Sequence, residues 1–160
     1  MPVTVNKETV IIGIGNLILK DEGVGVHAVR ELEKMEIPPG VEVIDGGVAT
    51  MDLLSVIHEA EKIIVIDAIK AGGEPGAVYR VTPEDLINET ERSFSLHQVD
   101  FLDVLGMARQ LGGQGEVVII GVEPKEISWG MELTPEVQAK LPKIIATVFE
   151  ELGGLEKNRT

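Results

Sequence analysis

Hydrophobic positions follow two alternating patterns along this chain. Continuous apolar runs occupy residues 9–14, 41–44, 63–66 and 117–122, with a shorter candidate at 77–81. Unbroken rather than alternating hydrophobicity suits strands covered on both faces, as in a parallel sheet. Between the runs, residues 22–35, 50–61, 98–111 and 135–152 read as helices. Several boundaries are signalled. Thr134-Pro135 puts a cap residue before proline at the first helical position, and Gly112-Gly113 and Gly153-Gly154 predict the ends of the third and last helices. Ser95-Leu96-His97-Gln98 reads as a capping box. Residues 83–95 are polar and predict a loop with a short helix. The expected fold class is α/β, a single three-layer domain with a mostly parallel twisted sheet of about five strands and helices on both faces. It spans residues 1–160, with a core from about residue 8 to about residue 153 and short flexible termini. No repeat, low-complexity tract or linker divides it.

In an open α/β sheet, chemistry collects in the crevice beyond the carboxyl ends of the strands. The first turn of that kind is Gly13-Ile14-Gly15-Asn16-Leu17-Ile18-Leu19-Lys20-Asp21-Glu22. Its glycines invite a dinucleotide-binding reading, which requires G-x-G-x-x-G. The third position is Ile18, and Asp21 and Glu22 would direct negative charge at the helix start that should receive a pyrophosphate. No G-K-[ST] follows, so a Walker A loop fails as well. A small nucleotide-binding module is therefore the weaker alternative.

Composition narrows the remaining classes. The 160 residues carry a formal net charge of −13, which argues against nucleic acid or an anionic membrane surface as partner. A hydrophobic share of 44% is enough for a real core. There is no cysteine, hence no disulfide, thiolate metal site or cysteine nucleophile. The N-terminus shows no signal-peptide pattern and no apolar run approaches the roughly 18 residues of a membrane span. A soluble cytoplasmic protein, a monomer or weak homo-oligomer, is expected.

What remains is a set of metal-ligand types at matching positions. Glu22 follows the first strand, Asp67 ends the third, and His97 opens the helix after the fourth. With the common strand order 2-1-3, connections after strands 1 and 3 leave in opposite directions, and Glu22 and Asp67 face each other across the crevice. A histidine in a first helical turn is kept neutral by the helix dipole, as a ligand must be. Two carboxylates and an imidazole suit a borderline divalent ion and leave positions open for substrate. Each residue also has a plainer role: Glu22 as a dipole partner, His97 as a helix-start residue. Asp67 is harder to explain so, because a carboxylate directly after four apolar residues lies near buried surface and needs a partner. Asp45 in Asp45-Gly46-Gly47 is equally a turn former or a third carboxylate of that edge. His27 and His58 read as structural or surface residues. No G-x-S-x-G elbow exists, and Ser93 and Ser95 look like loop and cap residues.

Five motifs in order, Gly13-Ile14-Gly15-Asn16 with Asp21-Glu22-Gly23-Val24-Gly25-Val26, Asp45-Gly46-Gly47, Val65-Ile66-Asp67-Ala68, Ser95-Leu96-His97-Gln98 and Ile120-Gly121-Val122-Glu123-Pro124, resemble those of the hydrogenase maturation endopeptidases. The resemblance runs from about Val10 to about Leu141. It departs at Val48, where many relatives carry threonine. The resemblance implies an endopeptidase that removes a C-terminal extension from the nickel-iron hydrogenase large-subunit precursor once nickel is inserted. It places the metal-contacting residues on Glu22, Asp67 and His97, with nickel presented by the precursor's thiolates and zinc or cadmium able to take its place. Either metal or carboxylate would activate water, with Asp67 as the carboxylate of choice in the manner of an aspartyl protease. A non-cleaving nickel checkpoint or chaperone would carry the same residues. The loop 123–131, with Trp129, follows the last strand at the same edge and could grip the precursor tail; an exposed Trp129 suits that role and a buried one would be core.

Overall fold

A computed structural model describes residues 8–48, 50–88 and 96–157; the side chains of 88, 96–99 and 154–157 are outside that description, as are the termini and the cap Ser95. Five strands, β1 (Thr9–Ile14), β2 (Val41–Gly47), β3 (Lys62–Ala68), β4 (Val78–Val81) and β5 (Glu116–Val122), form one sheet in the order β2-β1-β3-β5-β4. β1, β2, β3 and β5 are parallel, and β4 joins β5 antiparallel as an edge. The mostly parallel sheet is as the apolar runs predicted, and its first three strands take the common 2-1-3 order.

The helices are α1 (Val24–Leu32), α2 (Leu54–Glu59), α3 (Pro83–Asn88), α4 (Leu96–Gln110), α5 (Pro135–Gln138) and α6 (Leu141–Lys157). Alternate residues of each central strand serve opposite faces. Ile11, Ile64, Ile66, Ile120 and Val122 bury against α1, α5 and α6. Val10, Ile12, Ile63, Val65 and Ile119 bury against α2, α3 and α4. Both faces are dry, which is why the runs lack the period-2 alternation of a half-exposed strand.

Several boundaries differ from the sequence expectation. The first two helices each begin with a 3-10 turn, Lys20–Gly23 and Thr50–Leu53. The helix expected over 135–152 is broken after α5, because Pro142 has no N–H and its ring would collide with the carbonyl four residues back, so α6 starts afresh with Pro142 in its first turn. Gly153-Gly154 do not stop that helix, which continues to Lys157. A mid-helix glycine costs only about 1 kcal/mol, less than the apolar face of α6, including Leu152 and Val148, recovers by burial. β2 reaches Gly47 rather than ending at Ile44, with a bulge opposite Gly13 and Ile14.

The glycine missing at Ile18 is replaced by others. A β-carbon on Gly25 would meet the carbonyl oxygens of Ile66 and Ile14, and one on Gly13 would meet the Gly25 carbonyl. α1 therefore seats its first turn directly on the ends of β1 and β3.

Candidate active site

Glu22 lies in the 3-10 turn that links β1 to α1 and packs on the end of β3. It is only 7% exposed. Asp67, the penultimate residue of β3, is 1% exposed, and its Oδ1 accepts the N–H of Ala68 at 2.8 Å. α1 crosses one face of the sheet to reach β2, and α2 crosses the other to reach β3, so the β1–β3 boundary is the topological switch point and both carboxylates stand at its crevice. α4 ends at Gln110, with Gly113 and Gly115 against His58 and Ala60 just before β3 begins. Its fifteen residues thus return toward the amino edge, which puts the backbone of His97 at the carboxyl edge, on the face that Asp67 shares with Ile63 and Val65. The imidazole itself is outside the described side chains. Among the described residues no three His, Asp or Glu side chains gather as a metal cluster.

Two further carboxylates organise this edge, and sequence reasoning missed both. Asp21 is completely buried. Its Oδ2 accepts the N–H groups of Lys125 at 2.8 Å and Glu126 at 3.1 Å and the hydroxyl of Thr134 at 2.8 Å, and its Oδ1 accepts the Thr134 N–H at 2.8 Å. Thr134 is indeed the N-cap of α5, but its hydroxyl serves Asp21 and not the helix. Glu123 directs Oε1 at the N–H groups of Ala71 and Gly73 and at the Tyr79 hydroxyl, 2.7–3.0 Å away. The rule that drew attention to Asp67, a carboxylate directly after an apolar strand, applies equally to Glu123. Asp21 carried no such signal, since its donors come from the far end of the chain.

The turn is no phosphate cradle. The N–H of Gly15 is bonded to Gly47 O at 2.9 Å, and those of Ile18, Leu19, Lys20, Asp21 and Glu22 go to Asn16, Asn16, Gly130, Glu126 and Leu19. With the donors used internally, the nucleotide reading loses its physical basis. Asp45 is exposed on β2, opposite Gly13, and Val48 is exposed beside it. His58 places Nε2 2.8 Å from the Leu111 carbonyl, a structural contact. His27 faces inward. Burial lowers its pKa from the ordinary 6.5, and the charge of Arg30 adds to this, outweighing a hydrogen bond to the Met131 backbone and the nearby Asp21 and Glu31. Trp129 is 78% exposed, on the loop after β5.

The sequence model of a family described as hydrogenase maturation protease matches residues 26–151. This chain belongs to that family. The match includes Asp67 and His97 and starts four residues after Glu22. Among curated relatives of this hydrogenase maturation protease, the hydrogenase expression/formation protein HupD of Bradyrhizobium diazoefficiens is 37% identical over 147 residues, covering 89% of this chain and 77% of that protein. The hydrogenase 2 maturation protease of Escherichia coli is 32% identical, covering 89% and 88%. Among solved structures, the hydrogenase maturating endopeptidase HybD from E. coli superposes with a TM-score of 0.84 at 31% identity, covering 92% of this chain and 93% of that one. The nickel-iron hydrogenase maturation protease HybD from Thermococcus kodakarensis gives 0.76 at 30%, covering 91% and 98%. The α/β fold and the assignment as a protease of hydrogenase maturation thus agree with the motifs read from the sequence. Among the described residues of this maturation protease, no helix is long and apolar enough to cross a membrane.

Proposed function

We propose that the enzyme removes the C-terminal extension of the nickel-iron hydrogenase large-subunit precursor after nickel insertion, and that Glu22, Asp67 and His97 contact the nickel the precursor presents. The observation that carries this reading is the pair of nearly buried carboxylates, Glu22 from the turn after β1 and Asp67 from the end of the adjacent β3, at the switch point of a maturation protease. A divalent cation complements two carboxylates brought to one sheet edge. Carboxylate and imidazole suit nickel, and zinc or cadmium could take its place. The precursor's metal would hold the scissile bond in the crevice, and Asp67, bordering that crevice, is the base we assign to the attacking water. Tail binding falls to the loop 123–131, where Ile127, Trp129 and Met131 stand exposed beside Ile18.

Incubating the enzyme with nickel-loaded and nickel-free precursor, with mass spectrometry as the readout, tests the proposal. The expected result is loss of the C-terminal peptide from loaded precursor alone, abolished by Asp67→Asn and reduced at least about 100-fold by Glu22→Gln, as for loss of a group acting in the transition state. Intact loaded precursor that stays bound to the enzyme would instead identify a checkpoint protein.

A further inference from the structure

Asp21 precedes Glu22 and faces the other way, into the loop that follows β5. Its four accepted hydrogen bonds fall at both ends of one segment, on Lys125 and Glu126 at the start and on Thr134 at the finish. Its own N–H returns a bond to Glu126 O at 3.2 Å. Next to it, the N–H of Lys20 donates to Gly130 O at 2.9 Å, and the N–H of Gly130 donates to Ile18 O at 2.9 Å, which fixes the middle of the segment. Lys20 holds a φ of 47°, a left-handed conformation unfavourable for a residue with a β-carbon. A strained residue beside a buried charge persists only where the surroundings over-determine it. Between these fastenings, Ile127, Trp129 and Met131 are exposed; the segment's apolar anchor is Leu133, buried in the core next to Thr134, so the part that carries Trp129 is held by its polar bonds.

A buried carboxylate is an expensive way to hold a loop, and what it supplies over an apolar contact is a defined position. We infer that Asp21 is a positioning residue: it holds the Trp129 loop in fixed register with the turn that carries Glu22, so that the wall gripping an extended, apolar-bearing segment of the precursor and the site of cutting move as one unit. This inference rests on the proposed cleavage of the precursor and adds the element that sets its affinity. Asp21 touches neither substrate nor the reacting atoms; it acts through the loop. Replacing it with asparagine sets an amide NH2 against N–H donors whichever way the side chain is turned.

The test uses the full chain, as wild type, Asp21→Asn and Thr134→Val, the last removing only the hydroxyl that donates to Oδ2. Steady-state cleavage of nickel-loaded precursor is measured beside thermal melting and the fluorescence anisotropy of Trp129, the only tryptophan in the chain. Hydrogen bonds to a charged acceptor predict KM raised about 10-fold or more in Asp21→Asn and about 3-fold in Thr134→Val, with kcat within about 2-fold of wild type. Trp129 anisotropy falls in both, well below their melting temperatures. A variant that melts earlier but keeps wild-type KM and anisotropy overturns the inference, as does a fall in kcat alone. If Asp21→Asn does not fold, Thr134→Val decides by the same readouts. If the wild type fails to cut the precursor, the functional proposal falls, while Trp129 anisotropy still decides whether Asp21 holds the loop.

Discussion

At the scale of single residues, the acidic side chains of this protein divide by burial rather than by sequence neighbourhood. Asp21 and Glu22 are adjacent, yet one is saturated by backbone donors 104 and 105 positions away and the other borders the crevice. Only the second role was legible from the motif, because Glu22 is placed by its own turn and Asp21 by a loop remote in the chain. His27 offers a titration at this scale. Its Nε2 is buried with no hydrogen-bond partner among the described residues, and its folded pKa is below the ordinary 6.5. The folded state therefore takes up a proton less readily than the unfolded state. Stability from this group is complete above about pH 6.5 and is lost as pH falls from there through the folded pKa. Urea titrations from pH 7.5 to 5 should show this decline, and His27→Gln should flatten it. Equal slopes in the two proteins would remove His27 as its source.

At the scale of elements, apolar period and length located every strand core, and the two-sided burial of β1, β3 and β5 explains why. Boundaries were less legible, since caps and stops report local preference and packing overrides it. Gly153 shows this most clearly. It lies inside α6, and a β-carbon there would meet nothing within 4 Å. Gly153→Ala should stabilise the protein by about 0.5–1 kcal/mol, through lower unfolded-state entropy and better helix propensity. Chemical denaturation measures this directly, and a destabilised variant would mean that α6 does not run through this position.

At the scale of the whole molecule, Glu151 on α6 receives both Lys62 of β3 and Arg80 of β4, joining a helix to the centre and the edge of the sheet. Burial pushes the Glu151 carboxyl up, but hydrogen bonds from Arg80 and Lys62, with their charges, outweigh it and leave it below the ordinary 4.5. Its contribution is present above that value and is lost as pH falls through the folded pKa. Because Arg80 is half exposed, Glu151→Gln should cost under about 1 kcal/mol at pH 7 and less at pH 3, a difference that melting curves at the two pH values would register. Patterning by itself determined the layered α/β class, the parallel sheet and the placing of the motif carboxylates Glu22 and Asp67 after their strands. Each follows from period, run length and chain order, which are properties of neighbouring residues. Only the tertiary structure decided that Asp21 is a buried acceptor, that Thr134 spends its hydroxyl outside its helix, and that Trp129 faces solvent. Those outcomes depend on which donors and which apolar surface arrive from distant segments, and no local spacing encodes them.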